Sequence, residues 1–276
     1  MITVSNNPIK HIKRTLILGI LLHMLASCSD SPTSNKQDDI PVFPDFEQIQ
    51  IDVSYFLQRP PMKIDGNNSL NDDAYSEAYT YAVNAANLLN VYSASGFAYF
   101  GLAELVQPKF ADNIWNWTYS YQTPGVFTEM KLTSKVANGG YDWNLCLTLD
   151  VAGGESVNNL KIMQGFTSTD GKSGNWSLFP SYQGNTTPIL EFSWNMKNDT
   201  EMDTMFKIFA EGSNSQIPIF EISYQTSSPD YKIEYKNLES GWEKDIYWNT
   251  ANLAGYIIDD GIKSCWNQNL ETVACS

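Results

Sequence analysis

From Ile114 onward the apolar residues recur at every second position, and that rhythm constrains the fold more than any other feature of the chain. Trp115, Trp117, Tyr119 and Tyr121 fall on one side of an extended segment, with Asn116, Thr118, Ser120 and Gln122 on the other. Successive strand side chains point to opposite faces, so this is a half-buried strand. Pro124-Gly125 turns the chain, and Val126, Met130, Leu132 and Val136 then alternate with Glu129, Lys131, Thr133 and Lys135. Asn138-Gly139-Gly140 is a hairpin signal. After it Tyr141, Trp143, Leu145, Leu147 and Leu149 alternate with Asp142, Asn144, Cys146, Thr148 and Asp150, which puts Cys146 on the polar side. Further strands are expected over 160–168, 175–182, 188–196, 205–210, 218–225 and 231–236, followed by 245–249, 254–258 and 262–266. Asp170-Gly171, with Gly174 close by, marks one of the turns. The connections are too short for crossover helices, so neighbouring strands pair antiparallel. About ten such strands with one buried face must twist and curl. The expected fold is mainly β: an antiparallel meander forming a strongly curved sheet or barrel-like fold, with one or two N-terminal helices packed against it.

The helical part lies before this meander, over about 72–106. Asn71 and Asp72 are both good caps. Ala74, Ala78, Tyr81, Ala85, Leu88 and Tyr92 recur in steps of four and three, the signature of one helix face. Ser93-Ala94-Ser95-Gly96 is expected to interrupt the helix and act as a hinge, and Phe97 to Val106 reads as a buried apolar segment that Pro108 ends. Pro41, Pro44, Pro60 and Pro61 make 42–62 extended or irregular, with a short strand expected over 49–55. No internal repeat is evident.

The N-terminal stretch follows a different logic. Lys10, Lys13 and Arg14 precede an apolar run from Thr15 to Leu25, and the small residues Ala26 and Ser27 precede Cys28. A basic region, an apolar region and a small-residue site, in that order, form a secretion signal. The run is shorter than the ~20 residues that span a bilayer. The pattern Leu25-Ala26-Ser27-Cys28 resembles the lipobox of bacterial lipoproteins. That resemblance implies acylation of Cys28, the anchor through which this chain would meet a membrane. Ser29, rather than Asp, follows the cysteine, and by the same resemblance the outer membrane is the expected location. The chain then divides into a signal peptide over 1–27, a flexible tether over 28–40 and a single β-rich domain over 41–276.

Composition narrows the chemistry. The signal would carry three of the 17 basic residues and none of the 31 acidic ones, leaving a formal balance of −17. A surface this acidic repels nucleic acid and anionic lipid heads. Both histidines, His11 and His23, lie within the signal, and Arg59 is the single arginine after it. Histidine is the usual base and metal ligand near neutral pH, so Ser-His-Asp and Cys-His centres and His-ligated zinc are excluded. No cofactor is implied. Outside the cytoplasm disulfides are permitted, and Cys265 with Cys275 is the expected bridge. Cys146 remains as a free structural thiol.

Three groups of residues could carry function. Trp115, Trp117, Tyr119, Trp143 and Trp194 could line an apolar or sugar-binding pocket, or simply fill the core. Asp142, Asp150, Glu191 and Glu221 could supply a glycosidase pair, or sit on a solvated strand face. Asp65-Gly66-Asn67-Asn68-Ser69 with Asp72-Asp73 hints at a calcium loop, but Gly66 stands in the wrong place for one. The run from Gly165 to Trp176, with Ile246-Tyr247-Trp248-Asn249, resembles patterns in uncharacterised bacterial surface lipoproteins, which implies no activity. Helices laid against one long sheet are also similar to the open barrels of lipoprotein carriers. The expected function is that of a non-catalytic cell-envelope lipoprotein binding an apolar small molecule or an envelope protein. A carboxylate-dependent hydrolase acting on glycans and a purely structural surface protein are the alternatives.

Overall fold

The computed structural model describes residues 40–45, 49–61, 73–180, 187–210 and 217–275, the stretch 91–99 by its backbone alone. The expected signal over 1–27, Cys28, the expected tether as far as residue 39 and the stretch 62–72, with the calcium-loop candidate Asp65 to Ser69, lie outside the described residues. Pro41–Ser276 forms one unit.

Its body is one antiparallel sheet of fourteen strands, each paired with its neighbours in sequence. The first seven are β1 (Lys109–Ala111), β2 (Ile114–Thr123), β3 (Val126–Ala137), β4 (Gly140–Val151), β5 (Val157–Ser168), β6 (Ser173–Leu178) and β7 (Leu190–Asn198). The rest are β8 (Glu201–Ile208), β9 (Phe220–Ser227), β10 (Asp230–Asn237), β11 (Trp242–Asn249), β12 (Ala254–Asp259), β13 (Ile262–Trp266) and β14 (Thr272–Val273). Many of the turns fall where their residues can adopt left-handed backbone angles; Asp260 and Gly261, for example, carry φ of 46° and 83° between β12 and β13. β1 and β14 are the two edges, so the sheet is open rather than a closed barrel.

Period-two alternation appears directly as burial. Trp115, Trp117, Leu132, Trp143, Leu145, Phe192, Phe206, Ile222 and Tyr224 are all buried on one face. That inner face pairs large residues with small ones across the strands. Gly165 lies opposite Trp176, Gly174 opposite Trp194 and Gly255 opposite Trp266. A Cβ at these glycines would stand 2.4 Å, 2.4 Å and 2.2 Å from the opposing indole. The glycines are there because each tryptophan lies over its cross-strand neighbour.

Two helices cover the face, a short α1 (Ser54–Leu57) and a long α2 (Ala74–Glu104). α2 runs unbroken through Ser93–Gly96, so the expected interruption and hinge are absent. Ser and Gly lower helix propensity by under about 1 kcal/mol each, and the surrounding turns override that. Its buried stripe is Ala74, Ala78, Ala82, Ala85, Ala86 and Leu89. Leu88, placed on that stripe by the sequence, is 36% exposed instead. Small alanines let the helix sit close on a sheet surface made of large rings. α2 touches β12 and β13 near one edge and β2 near the other.

The stretch expected as a strand over 49–55 alternates correctly, with Ile49, Ile51, Val53 and Tyr55 buried, but it joins no ladder. It is held by side chains: Asp52 N–H donates to Tyr224 Oη at 3.4 Å and Tyr55 Oη–H to the Leu253 carbonyl at 3.0 Å. The last edge of the sheet caps the helix. Asp73 accepts from Tyr75 N–H at 3.2 Å and from Thr272 Oγ1 at 2.8 Å, while Thr272 accepts from Ala74 N–H. Cys265 and Cys275 are joined by a disulfide across this same edge.

An internal repeat does exist. Pro188-Ile189-Leu190-Glu191-Phe192-Ser193-Trp194 and Pro218-Ile219-Phe220-Glu221-Ile222-Ser223-Tyr224 open β7 and β9 in the same way. Ile189 and Ile219 each donate to the preceding strand at 2.8 Å.

Candidate functional site

The aromatic residues proposed as a ligand lining are brought together, but as core. Trp115, Trp117, Trp143 and Trp194 are each 1–3% exposed. Phe43 inserts among them, 5.4 Å from Trp117 and 5.5 Å from Trp143, and Phe100 of α2 stands 5.8 Å from Trp143. The indoles of Trp143 and Trp194 donate to Thr167 Oγ1 at 2.8 Å and to the Gly171 carbonyl at 3.1 Å. Those of Trp115 and Trp176 have no partner, nor has the Ser134 hydroxyl. Tyr119 is half-buried at the rim, and burial raises its phenol pKa. Beside it, under the end of α2, is a cavity of about 10 Å³ lined by Val106, Trp117, Tyr119, Met130 and Leu132 among others. That is near the smallest space that holds one water.

One charged group is buried between helix and sheet. Lys244 of β11 is 2% exposed and bridges Glu77 of α2 and Asp259 of β12, the latter at 3.0 Å. Its ammonium lies 3.9 Å from the Tyr81 ring centroid, and Trp242 Nε1–H donates to Asp259 at 3.1 Å. Burial pushes the lysine pKa down, but the two carboxylates more than offset it and the pKa is raised. Lys244 therefore stays protonated; it clamps the helix and cannot act as a base or nucleophile. Cys146 faces outward between Lys131 and Lys161, yet burial outweighs both lysines and raises its thiol pKa. It is a poor nucleophile.

The four carboxylates considered for hydrolysis do not converge. Asp142 and Glu191 stand on β4 and β7, three strand spacings or roughly 14 Å apart. A glycosidase pair needs about 5 to 9.5 Å. Asp150 accepts from Ser156 at 2.6 Å, and Glu221 lies 3.9 Å from Lys207. Glu234 and Asp245 are instead directly opposed, as register partners that share Lys232. Burial pushes the Glu234 carboxyl up, but Lys232 and Ser223 outweigh it and the pKa is lowered. Asp170 and Asp230 are lowered as well, by hydrogen bonds from Ser168 and Tyr247 first. A general acid needs the opposite shift. Among the described residues no group of three His, Cys, Asp or Glu side chains could hold a metal ion, and no helix is long and apolar enough to cross a membrane.

The open space described lies on the other face of the sheet. A cleft of about 300 Å³ is lined by Asp142, Asn144, Gln164, Phe166, Asn175 and Ser177. A second, of about 200 Å³, shares Asn175 and Ser177 with it and continues past Glu191 and Ser193 to Met205 and Lys207. A third, of about 380 Å³, opens farther along the face near Lys197, Asp203, Asp230 and Tyr247. The first two form one trough over β4–β8. Its floor is low because Asn175, Ser177 and Ser193 are short, and its walls are Phe166 and Gln164 on one side and Met205 and Lys207 on the other.

The sequence reading named Asp142 and Glu191 here, as candidate carboxylates, and passed over the uncharged outward residues between them. Their signal was present: at Asn144, Gln164 and Asn175 the alternation puts uncharged amides, and at Phe166 a phenyl ring, where solvent-facing strands usually carry Lys, Glu or Thr. The run from Gly165 to Trp176 is the hairpin at the centre of the trough. No protein-family model matches the chain, and no curated protein or solved structure matches it either.

Proposed function

We propose that this chain is a non-catalytic cell-envelope lipoprotein, held to the outer membrane by acyl chains on Cys28, that works by binding an envelope partner on the outer face of its sheet. The observation that supports this is the contrast between the two faces: about 10 Å³ of space under the end of α2 against clefts of 200–380 Å³ outside. Of the two ligand classes the sequence leaves open, the apolar small molecule needs room beneath the helix, and the cavity described there, among the described residues, is of about 10 Å³. In this reading the sheet bends around α2 as a half-barrel whose concave side is structural. The lipobox-like Leu25-Ala26-Ser27-Cys28 supports the anchor, and multiple acyl chains would hold it firmly.

Metabolic labelling with palmitate tests the anchor. Label is expected on the natural chain, in the outer-membrane fraction, and not on Cys28→Ser. Unchanged labelling of Cys28→Ser would remove the anchor from the reading. Saturating fatty acid is expected to leave tryptophan fluorescence and Tm of the purified chain unchanged; quenching would return the apolar-ligand version.

A further inference from the structure

We infer that the trough over β4–β8 binds a neutral oligosaccharide. The inference rests on the reading above, that this chain acts by binding through its outer face, and takes the bound envelope component to be a glycan rather than a protein or an apolar small molecule.

Two adjacent cross-strand rows build the trough. Asn144, Gln164, Ser177, Glu191 and Lys207 form one, each opposite the next in register. Phe166, Asn175, Ser193 and Met205 form the other, beginning from Asp142. Five strands give a length of roughly 19 Å. Among the described residues, the side chains of Asn144, Asn175, Ser177 and Ser193 make no hydrogen bond within the protein. Gln164 uses only its carbonyl oxygen, accepting from Lys161 at 2.7 Å.

Those groups suit a sugar. A carboxamide offers donors and an acceptor side by side, and a serine hydroxyl offers both, which matches rows of hydroxyls that donate and accept. Phe166 supplies an apolar wall for the C–H face of a pyranose ring. Its ring lies over Gly140, where a Cβ would come within 2.8 Å of it, so it lies along the sheet rather than standing off it. Charge excludes the other classes. Lys207 stands in register between Glu191 and Glu221, 3.9 Å from the latter, and Asp142 stands opposite Lys135, so each carboxylate of the rows has a cation in register beside it. An anionic ligand would meet a chain of net charge −14 and no arginine in the trough. A cationic ligand would find its acidic groups at the edge and neutral amides at the centre.

The test is calorimetric titration of the full chain in detergent with tetrasaccharides of glucose, mannose and N-acetylglucosamine. Oligogalacturonate and oligolysine serve as anionic and cationic probes. A neutral tetrasaccharide is expected to bind with a Kd of about 1 mM or tighter. Phe166→Ala and Asn175→Ala should each weaken it by about tenfold or more, and Asp203→Asn, elsewhere on the same face, should not. Because Phe166→Ala could disturb its hairpin, Ser193→Glu, a change at the surface, is the second blocking variant, checked for unchanged Tm. No binding by any neutral probe, binding indifferent to Asn175→Ala and Ser193→Glu, or binding of a charged probe instead would overturn the inference. Palmitate labelling separates the two readings: label without sugar binding removes this site alone, and sugar binding without label removes the envelope anchor alone.

Discussion

The two halves of this sheet are finished differently on the same outer surface. Over β8–β11 and the last residues of β7 the polar side chains are spent on each other. Lys197 meets Asp203 at 2.8 Å, Lys232 ties Glu234 to Asp245, and Asp230 accepts from Tyr247 and, at 2.7 Å, from Asn249. Over β4–β7 the side chains are as polar, yet Asn144, Asn175, Ser177 and Ser193 bond to nothing within the described protein. The difference continues through the sheet. The C-terminal half holds the helix with the Lys244 clamp, the Asp73–Thr272 cap and a disulfide. The N-terminal half holds it with rings; unpartnered buried polar atoms occur in both halves, at Trp115, Ser134 and Trp176 and at Thr204 and Trp248. The charged and covalent ties to the helix lie in one half, and the unpaired outward side chains in the other.

The comparison can be broken by substitution. Lys244→Ala strands two carboxylates at the helix–sheet junction and should cost about 3 to 5 kcal/mol in urea unfolding, as loss of a buried pair does. Cys275→Ser should cost about 2 to 3 kcal/mol, because the bridge closes a short loop and secures the strand that caps α2. Lys232→Ala leaves Glu234 opposite Asp245 with no cation between them and should cost about 1 kcal/mol. Asn175→Ala and Ser193→Ala should change stability by less than about 0.5 kcal/mol. A large loss at either of the last two would show that the trough is structural after all.

Titration sharpens the same contrast. Glu234 and Asp230 have lowered carboxyl pKa values in the folded state. Their contribution is present above the unfolded carboxylate value and is lost as pH falls through the lowered one. Lys244 has the reverse sign: its contribution is complete below the ordinary lysine value and fades as pH rises through the raised one. Tyr247, pushed up to about 12 by burial and by Asp230, keeps its proton across the neutral range. Hydrogen exchange should therefore show β9–β11 loosening first on acidification, and α2 separating from β11–β12 first in alkali. Uniform loosening at both extremes would contradict the division.

Much of this architecture was legible because period two is a strong signal. β2, β3 and β4 alternate over ten to twelve residues each, and turn residues bracket them. What alternation cannot distinguish is a filled face from a lined pocket. Trp115, Trp117, Trp143 and Trp194 satisfy both readings, and only Phe43 and α2 lying on them decides for core. Alternation also says nothing about pairing, so Ile49 to Tyr55 looked like a strand while lacking a neighbour. The break at Ser93–Gly96 failed because local propensity is weak against thirty-one residues of helix. The repeat at Pro188 and Pro218 escaped because only seven positions in each thirty correspond. The uncharged trough residues were passed over because a polar outward face is the ordinary state of such a strand; the amides at Asn144, Gln164 and Asn175 are a weak signal, and the missing partners that strengthen it are displayed by no sequence.

The central claim is that binding takes place outside the sheet and not beneath the helix. Side-chain N–H signals test it directly, in a 1H–15N spectrum of the full chain titrated with the binding tetrasaccharide and, separately, with a fatty acid. The amide signals of Asn144, Gln164 and Asn175 are expected to move with the sugar, while the indole signals of Trp115 and Trp117 stay fixed with both ligands. Movement of those indoles with saturating fatty acid, and silence at the three amides, would contradict the account.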